Sequence, residues 1–175
     1  MKILIASDIH GSATHCKRLL DAFSNEKAEK LILLGDILYH GPRNPLPDGY
    51  SPKEVIEMLS AVKDKIICVR GNCDGEVDQM VLPFPILSDY GAVFVNGINL
   101  YLSHGHKPVP PLNEGDVYLT GHTHVPLYEK TDYVHLNPGS VSLPKEDSKR
   151  GYILLDGKTF YFKTLYGETY GEVML

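Results

Sequence analysis

Five short blocks set metal-competent side chains beside glycine: Asp8-Ile9-His10-Gly11, Gly35-Asp36, Gly71-Asn72-Cys73-Asp74, Ser103-His104-Gly105-His106 and Gly121-His122-Thr123-His124. Asp8 and Asp36 offer carboxylates, Asn72 an amide oxygen, and His10, His104, His122 and His124 imidazoles. This mixed oxygen and nitrogen set suits Mn, Fe, Zn or Ni ions rather than calcium or a thiolate-bound structural zinc. Seven ligands are too many for one ion and right for two, with a carboxylate between ions about 3.5–4 Å apart. Asp36, central in the order of the blocks, is the expected bridge. Each block alone is weak: Asp-x-His and Gly-Asp also occur as turns, and Gly-His-x-His as a surface loop. The ordered set of five carries the reading.

Two divalent ions bring about four positive charges, of which the two aspartates cancel about two. A cationic pocket then exists in a chain of formal charge -5, and it suits an anionic phosphate. Ions of this kind lower the pKa of bound water toward about 7. The expected nucleophile is therefore a metal-bridging hydroxide, with the ions stabilising charge on the phosphoryl oxygens during in-line displacement.

Such blocks need strands to hold them. Lys2–Ala6, Leu31–Leu34 and Ile66–Val69 read as buried strands, separated by helices over Ala13–Asn25 and from Ser51-Pro52-Lys53-Glu54 to about Ala61. That order predicts a parallel sheet with right-handed crossovers. The second half reads as hairpins around Asn96-Gly97, Thr131-Asp132 and Asp156-Gly157, with a further strand at Val117–Thr120. Every block then stands just after a strand, where ligands gather in α/β sheets. The expectation is an α/β protein with mixed sheets packed face to face. The Gly- and Pro-rich stretch from Gly35 to about Tyr50 is long enough to be a functional loop.

The chain's 175 residues fit one domain, residues 1–175. Its acidic balance argues against a protein that tracks nucleic acid. No run of roughly 18 apolar residues is present to span a membrane, and Met1–Ala6 is short for a signal peptide. Cys16, Cys68 and Cys73, an odd and sparse set, point to reduced thiols and a cytoplasmic location. The tail from Gly167 to Leu175 is expected to add a strand or to dock on a partner subunit, leaving a homo-oligomer open.

In order and type, these blocks resemble the calcineurin-like metallophosphoesterase superfamily, over residues 8 to 124. His40-Gly41-Pro42-Arg43-Asn44-Pro45-Leu46-Pro47, Gly71-Asn72-Cys73-Asp74 and Asn137-Pro138-Gly139-Ser140 narrow the resemblance to its small phosphodiesterases. It implies a four-layer α/β/β/α sandwich with a dinuclear site, commonly manganese, acting on small phosphodiesters. By the same resemblance one metal takes Asp8, His10, Asp36 and His124, and the other takes Asp36, Asn72, His104 and His122. Asn72, Cys73 and Asp74 form the expected catalytic block, and His106 falls outside the metal ligands as a candidate substrate contact.

Many relatives carry histidine where this chain has Cys73, and that histidine is proposed to protonate the leaving group. A thiol, with an unperturbed pKa of about 8.5, is a poorer donor, so substrates with acidic leaving groups are expected to be favoured. Cys73 otherwise reads as a small filler beside the metals, and Cys16 and Cys68 as core. Arg43, in the long loop after Asp36, is a candidate phosphate contact; its alternative is a solvated loop arginine. Two other functions fit the same residues: a phosphomonoesterase or nucleotidase, and a silent scaffold or binding module on this fold.

Overall fold

In β1 (Lys2–Ala6) successive side chains enter two different cores. Leu4 and Ala6 pack with Cys16, Leu19, Val55 and Leu59. Ile3 and Ile5 pack with Leu100, Leu102, Val117 and Leu119. A strand buried on both faces reads as an unbroken apolar run, which is why the sequence shows one there. The computed structural model describes residues 1–175 throughout.

The remaining elements are α1 (Ala13–Asn25), β2 (Lys30–Leu33), α2 (Pro52–Ser60), β3 (Ile66–Cys68), α3 (Glu76–Val81), β4 (Tyr90–Val95), β5 (Ile98–Ser103), β6 (Val117–Leu119), β7 (Pro126–Lys130), β8 (Val134–Pro138), β9 (Gly151–Asp156), β10 (Thr159–Thr164) and β11 (Thr169–Met174). The first sheet has the order β11-β10-β9-β1-β2-β3 and the second β4-β5-β6-β8-β7. The expected parallel run β1, β2, β3 is present, with β9 antiparallel on the other side of β1. In the second sheet β5, β6 and β8 run parallel.

Helix α1 starts where Ser12 Oγ accepts the His15 N–H at 3.2 Å. Ser51 stands at the start of α2 with Pro52 in the first turn, as the sequence indicates, but its side chain makes no capping bond. Asn96 and Gly97 both adopt positive φ, 54° and 75°, the type I′ geometry that closes the β4–β5 hairpin. The tail forms β11, antiparallel to β10 at the sheet edge.

Helix, sheet and sheet stack as expected, with α1 and α2 on the outside of the first sheet. The two mixed sheets with their few helices form the α/β sandwich that the resemblance implies. All three α-helices precede β4, and α3 shares a groove with α2 through Ile56, Val77 and Val81. The outward positions on β4, β5 and β8 include Phe94, Asn99, Tyr101 and His135, opposite the inward Val95, Leu100, Val134 and Leu136. This mostly polar and aromatic face does not require an apolar helix to cover it.

Candidate metal centre

The blocks meet because the strands that carry them end on one edge. Asp8 and His10 follow β1, Asp36 follows β2 and Asn72 follows β3. His104 follows β5, and His122 and His124 follow β6. Each sheet thus contributes through strands that are parallel within it. Five of these residues turn there through the left-handed region: Asp8 (φ 60°), His10 (50°), Asp36 (56°), His122 (69°) and His124 (63°). Non-glycine residues adopt this conformation at a cost, and such residues cluster at functional sites.

Two glycines allow the closest approaches. A Cβ on Gly71 would fall 2.1 Å from Asp36 Oδ1, and one on Gly121 would fall 1.9 Å from Ser7 Oγ. The second and third blocks, and the first and fifth, can touch only because these positions are glycine.

Three histidines have their tautomers fixed by backbone carbonyls. His10 Nδ1 donates to Tyr39 O at 2.7 Å, His104 Nδ1 to Leu34 O at 2.6 Å, and His124 Nδ1 to Leu143 O at 2.5 Å. A carbonyl only accepts, so each Nδ1 carries the proton and each neutral ring turns an Nε2 lone pair inward. His10 Nε2 and His124 Nε2 then face each other at 3.2 Å. Asp8 Oδ1, buried and without a hydrogen-bond donor, lies 3.5 Å from His10 Nε2 and 3.3 Å from His124 Nε2. Asp36 Oδ2 lies 3.6 Å from His10 Nε2 and 3.3 Å from His104 Nε2. Asn72 Oδ1 is 3.1 Å from His104 Nε2. Carboxylate, amide and imidazole acceptors thus crowd one largely buried site, an arrangement that favours cations.

The ionisation of these groups shows the same demand. Burial pushes the Asp8 carboxyl up, but the His10 and His124 rings together outweigh it and hold it well below the usual carboxylate range. Burial pushes His104 down, yet Asp36 and Asp8 outweigh that and raise it to about 9. Burial, then the Asp36 charge, pushes the Cys73 thiol up to about 12. Without metal the carboxylates draw protons onto imidazole; a cation satisfies them instead.

Asp8, His10 and His124 form one tight group and Asp8, Asp36 and His104 another, and a third joins His10, Asp36 and Cys73. Asp36 Oδ2 lies between the His10 and His104 rings. Asp8 also reaches toward both groups, which the sequence does not indicate. His122 is held less tightly: it is half-buried, its ring centroid lies 5.1 Å from that of His104, and its N–H donates to Asp8 Oδ2 at 3.0 Å.

The residues named beside the ligands fall in different places. A cavity of about 500 Å³ is lined by Asp36, Asn72, Cys73, His122 and His124, with Arg43 on its wall. Asp74, expected in the catalytic block, has both carboxylate oxygens occupied. They accept the N–H groups of Asp36 (2.8 Å), Ile37 (2.9 Å) and Gly71 (2.8 Å), so Asp74 fixes the turns that carry Asp36 and Asn72. His106 packs against His104 and His122, at 5.4 and 6.1 Å between ring centroids, and lines neither this cavity nor the neighbouring groove.

Sequence reading misses Lys145, which lines the same cavity. It is a lone lysine in a polar stretch, and nothing in its neighbours marks it. Ser142 is also missed: with Ser140 it donates to Asp8 O, at 3.1 and 2.8 Å. Asn137 Nδ2 donates to Gly121 O at 2.7 Å. The Asn137–Ser140 turn thus braces the first and fifth blocks from behind, and its compact Asn-Pro-Gly-Ser composition is the signal that indicates a turn there.

Residues 1–159 match the calcineurin-like phosphoesterase superfamily domain. The chain belongs to that superfamily. Among its relatives, phosphodiesterase YfcE of Escherichia coli strain K12 is 48% identical over 161 residues, covering 89% of this chain and 88% of that protein. The solved structure of YfcE, described as a phosphoesterase from E. coli, superposes with a TM-score of 0.95 at 45% identity and 99% coverage of both chains. Phosphodiesterase MJ0936 of Methanocaldococcus jannaschii is 27% identical over 151 residues, 79% of this chain and 83% of that one. The chain has side-chain clusters that could hold metal.

Proposed function

We propose that the chain is a metal-dependent phosphodiesterase that hydrolyses small phosphodiesters at a dinuclear centre. The observation that carries this is the convergence of acceptor atoms. Three imidazoles held inward by backbone carbonyls, two carboxylates and an amide oxygen meet in one buried cluster. The 48% identity to a named phosphodiesterase over most of the chain supports the reaction class.

Asp8, His10, Asp36 and His124 would hold one ion, and Asp36, Asn72, His104 and His122 the other. Manganese is the metal we favour, since the oxygen and nitrogen donors suit it, with Fe, Zn or Ni as substitutes. When bound, the pair supplies hydroxide from water near neutral pH and offsets charge on the phosphoryl oxygens.

The chain's own residues do the rest. The carbonyls of Tyr39, Leu34 and Leu143 hold the three rings in one tautomer and orientation. Arg43 and Lys145 present cations to the phosphate from the cavity wall. Cys73 Sγ accepts from Asn72 Nδ2 at 3.3 Å. A thiol is a poorer proton donor than imidazolium, so the reaction favours alcohols that leave without a proton. The free state of Cys16, Cys68 and Cys73 accords with a reducing, cytoplasmic setting, and no helix is long and apolar enough to cross a membrane.

The test is hydrolysis of bis-p-nitrophenyl phosphate and p-nitrophenyl phosphate by metal-stripped protein, with and without Mn²⁺, beside Asn72→Ala. Mn-dependent diester cleavage, reduced by about a hundredfold or more in Asn72→Ala, is expected. Preference for the monoester would make the enzyme a phosphomonoesterase. Tight metal binding without hydrolysis would leave a binding module.

A further inference from the structure

Beside the polar cavity lies a second concavity of about 840 Å³. Its walls are Tyr39 and Tyr50 from the long loop, Ile56 from α2, and Val77 and Val81 from α3. The two concavities meet at Pro42, Arg43, Asn72 and Cys73, which line both. One side of that seam is nearly all polar and holds the metal ligands; the other is largely aliphatic and aromatic. Val77 is 74% exposed and Val81 48%, so the α3 wall is apolar surface open to solvent beside a catalytic centre. The acidic groups on this wall are already engaged. Asp78 accepts the Gly75 N–H at 2.7 Å, and Asp74 is taken by the amides described above.

A phosphodiester is divided in the same way, into an anionic phosphoryl group and an uncharged ester arm. We infer that the groove walled by Tyr39, Tyr50, Ile56, Val77 and Val81 is the subsite for an apolar, ring-sized ester arm of the substrate. It makes the protein selective for aryl or similarly bulky apolar phosphoesters over small alkyl ones. The inference rests on the phosphodiesterase reading and adds the class of alcohol to it. The occupant is argued from continuity: with the phosphoryl group against Asn72 and the ions, an arm leaving past Cys73 enters the groove. The volume lies within the range of about 300–1,000 Å³ usual for small-molecule sites.

The experiment is a calorimetric titration of the Mn-loaded protein with phenylphosphonate and with methylphosphonate, which contain no ester bond to hydrolyse. Phenylphosphonate is expected to bind about tenfold more tightly. In Val77→Asn/Val81→Asn, whose sites are solvent-exposed, the ratio is expected to fall to within about twofold, with methylphosphonate affinity unchanged. No preference in the native protein, or a preference that survives the double substitution, overturns the inference. So does a native dimer that the substitution makes monomeric without any phenyl preference, since a second copy would then occupy the groove. The binding ratio does not depend on turnover, so failure of the phosphodiesterase reading shows separately, as absence of Mn-dependent diester cleavage.

Discussion

Asp74 shows how much of the centre depends on residues that would never touch substrate. Its carboxylate receives three backbone N–H groups from two different loops. An amide in its place has one accepting oxygen, and its NH₂ would oppose a backbone donor. Asp74→Asn is therefore expected to misplace Asp36 and Asn72 and to weaken Mn²⁺ binding by about 10–100-fold, measured by titration calorimetry. Retained native metal affinity would show that the three bonds do not position the ligands.

His15 makes a different prediction, of stability. It is 3% exposed, both ring nitrogens lack partners, and burial, then Arg150 and Arg18, lowers its pKa to about 4. The unfolded chain takes up this proton near the ordinary value of about 6.5. As pH falls from 6.5 to 4 the unfolded state gains protons that the fold refuses, so stability is lost across that window. The loss due to His15 is at most about 3 kcal/mol. Urea unfolding of native protein and His15→Leu from pH 7 to 4 measures it: the stability difference between them should shift by roughly 2–3 kcal/mol in favour of the variant. A constant difference would mean that His15 is protonated within the fold.

At the scale of elements, the turns opposite the metal centre fasten the two sheets. Asn96, in the β4–β5 turn, donates through Nδ2 to Met1 O at 3.0 Å and to Gly157 O, in the β9–β10 turn, at 2.7 Å. It also holds φ 54°, which most residues tolerate poorly. Asn96→Ala is expected to lower stability by about 1–2 kcal/mol, read by denaturant unfolding, with metal affinity unchanged because no ligand follows these turns. Asn96→Gly should recover the backbone part of that loss but not the hydrogen bonds. Helix α3 has no buried residue. Its exposed apolar side chains hold no core together, so the groove they form can serve binding.

At the scale of the molecule, the proposed centre would join the two sheets, since each provides candidate ligands that the other lacks. Binding of Mn²⁺ should therefore stabilise the whole sandwich rather than one loop. At a hundred times the dissociation constant the gain is about 2.7 kcal/mol per site. Thermal unfolding of metal-stripped protein should shift upward with Mn²⁺ and return with chelator. His10→Ala should abolish most of the shift, and an undiminished shift in that variant would place the binding elsewhere.

The five blocks, their ligand types and their places after strands are legible in the sequence because each depends on local chemistry. Glycine beside a turn, imidazole and carboxylate in a fixed order, and apolar runs of strand length are properties of neighbouring residues. The αβα half, the Asn96-Gly97 turn and the strand in the tail are readable for the same reason. What only the tertiary structure decides depends on contacts between residues far apart in the chain. The carboxylate of Asp74 turns to the backbone of Asp36 because the β2 and β3 loops lie side by side. Lys145 reaches the cavity because the segment after β8 folds back under His124, whose O receives the Lys145 N–H at 3.3 Å. Helix α3 has no apolar face directed to a core, so periodicity gives no sign of it. Which face of each strand in the second sheet is turned outward is likewise fixed only once the partner strands are in place.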